Sequence, residues 1–308
     1  MISIVIPLYN KEKQISETLE SVFRQTFQDF EVVIVNDGSS DNSVEVVKKF
    51  EDKRISIISQ LNQGVSAARN NGTKNAKYDY IALLDADDEW YPDYLQEQVD
   101  LINNYPECSI FACAYEFRNG KGEVRPLILN KMPFTTRTGV LTNYFEVASC
   151  SHPPICSINI VAKKEIFLNI GGFPVGVKSG EDLLTWARLA TKYQIAYNRN
   201  SLAIFNTPDN VNCREPRLDI HKDAVFDELL KLYNENEKRK DIKKYIARWN
   251  EMRASIFIQS GNRLKAFNPL FRIIKYGGNS KKALYFFMLI VSPAYFQNYI
   301  EKIKEKWY

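Results

Sequence analysis

The sequence predicts an α/β fold: a doubly wound, mostly parallel sheet with helices on both faces. Three observations carry that prediction. Short β-branched apolar runs alternate with stretches of helical periodicity through the first hundred residues, as crossover units require. The runs are apolar throughout rather than alternating, which suits strands covered on both faces. Polar, turn-forming clusters directly follow the runs, and in such a sheet this gathers them at one edge.

In chain order, Ile2–Leu8 reads as the first strand, and Ile15, Leu19, Val22 and Phe23 then recur at helical spacing. Glu31–Val35 is a second strand, followed by a helix presenting Val44, Val47 and Phe50. Ile55–Ile58 is a short third strand, Val65–Ala76 a helix of small residues, Tyr80–Leu84 a fourth strand and Pro92–Asn104 a helix. From Ser109 to Asn159 the pieces shorten between Asn119, Gly120, Gly122 and Gly139, so antiparallel or mixed strands are expected. Helices are expected at Lys163–Asn169 and Glu181–Tyr193, then at Ala224–Tyr233, Asp241–Gln259 and Ala283–Lys306. Pro208, Asn210, Asn212 and Pro216 cluster where a boundary is expected, giving a body of residues 1–214 and a helical region of residues 215–308.

Composition excludes whole classes. With 45% apolar and 25% charged residues the chain is neither disordered nor fibrous. Its net charge of +4 hides an asymmetry: residues 1–214 carry 22 basic and 26 acidic side chains, residues 215–308 carry 19 and 11. Cys108, Cys113, Cys150, Cys156 and Cys213 include no Cys-x-x-Cys pair, which suggests neither a disulfide framework nor a zinc site, and fits a reducing compartment. The start, Met-Ile-Ser-Ile-Val-Ile-Pro, has no basic leader and reads as a strand rather than a signal peptide. The longest apolar stretch, Ala283–Phe296, is shorter than the roughly 20 residues of a spanning helix. A cytoplasmic protein is expected.

The clusters after the strands are Pro7-Leu8-Tyr9-Asn10, Asn36-Asp37-Gly38-Ser39-Ser40-Asp41 and Asp85-Ala86-Asp87-Asp88. Alone, the second is a turn with Asp41 as a helix cap. The third is different. Three carboxylates in four residues repel one another unless a cation or strong donors offset them. Hard oxygens of this kind suit Mg2+ or Mn2+ held together with substrate phosphates, a role for Asp85 and Asp87. Asp88 and Glu89 read as a solvated turn capping the next helix.

Taken in order, Ile2–Asn10, Val33–Ser43, Asn62-Gln-Gly-Val-Ser-Ala-Ala-Arg-Asn70, Leu84–Asp88, Gly171-Gly-Phe173 and Gly180-Glu-Asp-Leu-Leu-Thr-Trp-Ala-Arg188 resemble a family 2 glycosyltransferase of the GT-A fold, over roughly residues 1–195. The resemblance implies that Pro7 and Tyr9 border the nucleobase, with the Tyr9 ring packing on it, and that Asp37 accepts from a base N–H such as uracil offers. It implies that Arg69 lies near the base or diphosphate, the alternative being an arginine that holds its helix. Asp85 would serve the ribose or sugar, and Asp87 would ligate the Mn2+ or Mg2+ that bridges the phosphates. Asp182 would be the general base, with Glu181 orienting the acceptor or capping the helix. The implied activity is inverting transfer of a hexosyl or N-acetylhexosaminyl group from a nucleotide-sugar, UDP-linked, to a hydroxyl of a glycan or lipid-linked glycan, as in surface polysaccharide synthesis. Two other readings stay open: a non-catalytic nucleotide- or glycan-binding member of the fold, and a sugar nucleotidyltransferase. The latter wants a glycine- and lysine/arginine-rich loop where this chain has Pro-Leu-Tyr-Asn. No Gly-x-Gly-x-x-Gly follows the first strand, against a dinucleotide oxidoreductase.

Some residues keep two readings. Trp186 is a sugar platform or a buried aromatic, Arg188 a partner for a site carboxylate or not, and His152 an extra metal ligand or a structural histidine. His221 lies past the resemblance. Residues 263–308 hold nine Lys or Arg and two Glu around the apolar stretch. That region either seeks the inner face of the cell membrane as a peripheral surface or packs on the body with its lysines in water. No nucleic-acid partner is expected.

Overall fold

A computed structural model of the 308-residue chain describes residues 1–207, 223–236 and 239–291. In its first part the elements are β1 (Ile2–Leu8), α1 (Ile15–Phe23), β2 (Phe30–Asp37), α2 (Ser43–Lys48), β3 (Ile55–Gln60), α3 (Val65–Asn75), β4 (Tyr80–Leu83), β5 (Glu89–Trp90) and α4 (Tyr94–Asn104). Next come β6 (Ile110–Asn119), β7 (Val124–Pro126), β8 (Thr138–Val140), α5 (Tyr144–Cys150), β9 (Ile160–Lys163), α6 (Lys164–Asn169), α7 (Glu181–Lys192) and β10 (Ile195–Thr207). Helices α8 (Ala224–Glu235), α9 (Lys240–Gln259), α10 (Phe267–Lys275) and α11 (Ser280–Val291) follow, with a 3₁₀ turn over Arg263–Ala266.

The described strands form one mixed sheet in the order β3-β2-β1-β4-β9-β6-β10-β5, with β7 on β6 and β8 on β10. β1 pairs in parallel with β2 and β4, and β2 with β3, so these four strands end at the same edge. β9 runs antiparallel to β4 and β6, which is the change of direction expected after Ser109. β10 then pairs in parallel with β6.

Helices cover both faces because successive side chains in a strand point to opposite sides. Ile2, Ile4, Ile6 and Leu8 of β1 share a buried cluster with Val32 and Ile34 of β2 and with Ile15, Leu19 and Val22 of α1. The intervening residues meet α3, whose Gly72 lies so close that a Cβ there would come within 2.4 Å of Val5 Cγ1 and 3.1 Å of Val35 Cγ2. Any larger residue at position 72 would push this helix off the sheet, so the small-residue run of α3 is a packing requirement.

The chain divides into two compact units, Met1–Val147 with Ser151–Arg214, and Ala148–Cys150 with Glu215–Tyr308. The expected boundary at 209–216 lies outside the described residues, as do Cys213 and His221. The second unit has its own core of Ala254, Phe257, Ala266, Leu270, Ile273, Ala283, Phe286, Leu289 and Ile290. Asp223, its side chain 9% exposed, organises its entrance: it accepts from Phe226 N at 3.1 Å and Trp249 Nε1 at 3.0 Å, and faces Arg253 at 3.1 Å and Arg272 at 2.9 Å. The helix expected over Ala283–Lys306 begins at Ser280 and is described to Val291. Among the described residues no helix is long and apolar enough to cross a membrane.

Candidate active site

The parallel register aligns Leu8 of β1 with Asn36 of β2 and Val5 with Leu83 of β4. The loops beginning at Tyr9, Gly38 and Leu84 therefore leave the same edge, and hydrogen bonds knit them together. Asn10, at a positive φ of 52°, accepts from Ser40 N at 2.8 Å through its side chain and donates its own N–H to Ser39 Oγ at 3.2 Å. Asp41 accepts from Ser43 N and from Glu12 N, each at 3.0 Å. It caps the start of α2 as expected, and also fastens the loop after β1.

Pro7 lies within β1, paired with Val35, and Tyr9 emerges from its end 48% exposed. Asp37 is 3% exposed, and its carboxylate accepts from Gln60 Nε2 at 2.8 Å, Gln63 N at 2.9 Å and Gly64 N at 2.8 Å. Gln63 and Gly64 belong to the segment leading into α3, so Asp37 fixes where that helix begins.

Arg69 lies one turn further along α3. It is 4% exposed, donates from Nη2 to Asp85 Oδ1 at 2.7 Å, and holds Nη1 4.0 Å from Glu181 Oε1. Its guanidinium lies over the Phe173 ring, 5.2 Å from the centroid. Burial disfavours the charge, but Asp85, Glu181 and Asp182 outweigh it and hold the group firmly protonated. Arg69 thus joins the carboxylate after β4 to the carboxylates that open α7.

The next residue makes that meeting rigid. Asn70 donates from Nδ2 to Phe173 O at 2.8 Å and accepts from Phe173 N at 2.7 Å. Gly172 must be glycine on two counts: its φ is +72°, and a Cβ would come within 2.4 Å of Asn70 Oδ1. Phe173 then stacks on Phe167 at 5.8 Å and meets Trp186 edge-on at 5.5 Å. Trp186 is 1% exposed, so it supports the site from within and offers no platform to a sugar.

Glu181 and Asp182 occupy the first turn of α7, where the helix dipole favours carboxylates. The Asp182 carboxylate accepts from Leu183 N at 2.7 Å. Burial raises both acids above their ordinary values; Asp182 adds to the rise at Glu181, Asp85 adds to it at both, and Arg69 offsets part of it.

Asp87 meets a residue the sequence reading did not single out: Lys11 Nζ donates to Asp87 Oδ2 at 2.5 Å, both side chains being about a third exposed or less. The turn expected at Asp88 and Glu89 is not solvated and caps no helix. Asp88 is 2% exposed and accepts from Asn206 N at 2.7 Å; burial, then Asp87 and Asp85, push it well above the ordinary carboxylate range. Glu89 lies in β5 and pairs with Arg118 of β6. β10 makes this possible, because Asn206 near its end also donates from Nδ2 to Asp87 O at 2.7 Å. The rest of the β4 loop is therefore pinned between two strands, leaving Asp85 and Asp87 at the edge.

Among the described residues no group of three or more His, Cys, Asp and Glu is arranged to hold a metal ion. The donor set still fits a hard cation. Mg2+ or Mn2+ in phosphate chemistry needs one or two carboxylates, with phosphate oxygens completing the shell, and Asp85 and Asp87 are each 27% exposed. Lys11 already places positive charge against Asp87. His152 does not join them: its Nδ1 accepts from Ile128 N at 3.0 Å and its ring packs edge-on to Phe117.

Comparison with known proteins bears on the sequence and on the fold. Residues 3–154 match the sequence model described as Glycosyl transferase family 2. That segment, just under half of the chain, is similar in sequence to glycosyl transferase family 2. An uncharacterized glycosyltransferase of Rickettsia felis is 35% identical over 203 residues, which is 63% of this chain and 31% of that protein. The chain thus spans about a third of the length of that relative. The crystal structure of S. aureus TarS 1-349 in complex with UDP-GlcNAc superposes with a TM-score of 0.69 at 19% identity, covering 94% of this chain and 86% of that one. The mannosyltransferase PcManGT of Pyrobaculum calidifontis, solved with GDP-Man and Mn2+, gives 0.59 at 17% identity, covering 92% and 77%. The fold is of the GT-A type, as the resemblance implied.

Proposed function

We propose that the chain catalyses inverting transfer of a hexosyl or N-acetylhexosaminyl group from a UDP-sugar to a hydroxyl of a glycan or lipid-linked glycan. It would work at the inner face of the cell membrane in the assembly of surface polysaccharide. Residues 1–214 would be the catalytic domain and residues 215–308 a helical region that adds to it. The observation that carries the reading is Arg69, which holds Asp85 on the donor side and Glu181 on the acceptor side of one edge. The UDP-GlcNAc bound to TarS and the GDP-Man and Mn2+ bound to PcManGT support a nucleotide-sugar donor with a divalent cation.

On the donor side, Pro7 and the exposed ring of Tyr9 border the base. A carboxylate has about four acceptor positions; three donors leave Asp37 one for the uracil ring N–H. Asp85, held by Arg69, serves the ribose or sugar. Asp87 would hold Mn2+ or Mg2+, which when bound offsets charge developing on the diphosphate. On the acceptor side, Asp182 takes the proton of the acceptor hydroxyl while Glu181 orients that hydroxyl. The acceptor oxygen bonds to the anomeric carbon as the bond from that carbon to the phosphate oxygen breaks, and its electron pair leaves with UDP. Attack opposite the leaving group inverts the centre, so an α-linked donor gives a β-linkage. The raised pKa of Asp182 makes it a stronger base than an ordinary aspartate.

The decisive experiment is Asp182→Asn. Turnover should fall at least about a hundredfold while UDP binding, read by calorimetry, stays as in the wild type. Near-normal turnover with intact binding would remove Asp182 from its role. A wild-type chain that binds UDP yet hydrolyses no member of a sugar-nucleotide panel with Mn2+ would point to the non-catalytic alternative.

A further inference from the structure

The second unit leaves large apolar side chains in water in a regular pattern. The 3₁₀ turn and α10 bury Ala266, Leu270 and Ile273 but expose Leu264 at 79%, Phe267 at 41%, Phe271 at 70% and Ile274 at 64%. Steps of three, four and three put those four on one helical face. α11 repeats the arrangement, burying Ala283, Phe286, Leu289 and Ile290 while exposing Leu284 at 53%, Phe287 at 46% and Val291 at 55%. Seven of the fourteen exposed large apolar residues among those described fall between Leu264 and Val291, so the exposure is concentrated rather than incidental.

Charge says what covers it. No Asp or Glu occurs between Glu251 and Glu301, whereas seven Lys or Arg do. Lys265, Lys275 and Lys281 are exposed beside the apolar residues. A second copy of the same face would oppose like charges with no acid to offset them. An anionic bilayer supplies both needs, an apolar depth for the rings and negative head groups for the lysines.

We propose that the exposed face of the 3₁₀ turn and α10, with the outward residues of α11, is a docking surface for an anionic membrane. Phe267, Phe271 and Ile274 enter the acyl boundary while Lys265, Lys275 and Lys281 meet the head groups. This deepens the peripheral location proposed above and does not depend on the transfer chemistry. Its test therefore reads binding rather than turnover.

The full chain is sedimented with vesicles of phosphatidylcholine, with and without phosphatidylglycerol. Binding should need the anionic lipid and weaken as salt rises. Phe271→Gln with Ile274→Gln should abolish it, and Lys265→Glu with Lys275→Glu should weaken it at least about tenfold. Both pairs are exposed, so unchanged melting and UDP binding would certify that the variants fold. The proposal is overturned if the full chain ignores anionic vesicles. It is equally overturned if the apolar pair binds like the wild type, if that pair instead converts a dimer to a monomer in light scattering, or if binding appears only when residues 292–308 are removed. Vesicle binding without turnover would sink the proposed reaction and leave the surface standing.

Discussion

Asp182 and Lys11 are single side chains whose surroundings predict measurable chemistry. A general base works deprotonated, and burial raises the Asp182 carboxyl above its ordinary value of 3.8. Activity is then present above the raised pKa and lost as pH falls through it, so the acid limb of kcat/KM lies higher than an ordinary carboxylate would put it. Glu181 is the adjacent carboxyl, itself raised by burial and by Asp182. Glu181→Gln removes a neighbouring negative charge, so the limb should move to lower pH; a move upward would contradict the assignment. Lys11 makes a second case, because its ammonium occupies the Asp87 oxygen that a cation would want. Lys11→Met should tighten Mn2+ binding in the absence of nucleotide by about fivefold, the size of one partly exposed ion pair. Titration of the protein with Mn2+ alone reads this directly, and an unchanged affinity would argue that Asp87 is not the ligand.

At the scale of elements, the site depends on α3 being fastened by a two-bond clamp to Phe173, in the segment that precedes α7 and packs on its Trp186. Gly172→Ala would place a Cβ against Asn70 Oδ1 at a φ of +72°. The expected cost is about 1–3 kcal/mol of stability, visible in urea unfolding, with a larger loss of turnover than of UDP binding because the acceptor side moves. A loss under about 0.5 kcal/mol would show that the loop adapts. Such clamps explain which parts of the fold were legible. The apolar runs of β1, β2 and β4 and the periodicity of α1 and α7 are local signals, and their bounds match to within a few residues. β10 gives no such signal: Asn198–Ser201 interrupts its apolar pattern where the pairing with β6 shifts register. With β10 invisible, Asn206 could not be foreseen, nor the burial of Asp88 that it makes possible. Lys11 escaped for the same reason, since its partner lies 76 positions away. α10 is short and carries Pro269 in its first turn, which masked a helix that buries Leu270 and Ile273 and exposes Phe267, Phe271 and Ile274.

At the scale of the molecule, the two units have separate hydrophobic clusters with no shared member. Their charges also differ, acidic up to residue 214 and basic beyond it. Separate cores allow separate melting, since cooperativity is carried by packing within a core. All the proposed nucleotide contacts lie in the first unit, on β1, β2, α3 and the loop after β4. A ligand that binds only the folded form stabilises it by about 2.7 kcal/mol at a hundredfold excess over Kd. For a unit of this size that raises Tm by roughly 5–10 °C. Calorimetry with and without UDP and Mn2+ should therefore resolve two transitions and move one. The transition that moves should also be the one lowered by Gly172→Ala, because the clamp belongs to the same unit. A single transition that shifts as a whole would mean that the units stabilise each other, and that the basic helices contribute to the catalytic body as well as to any surface it binds.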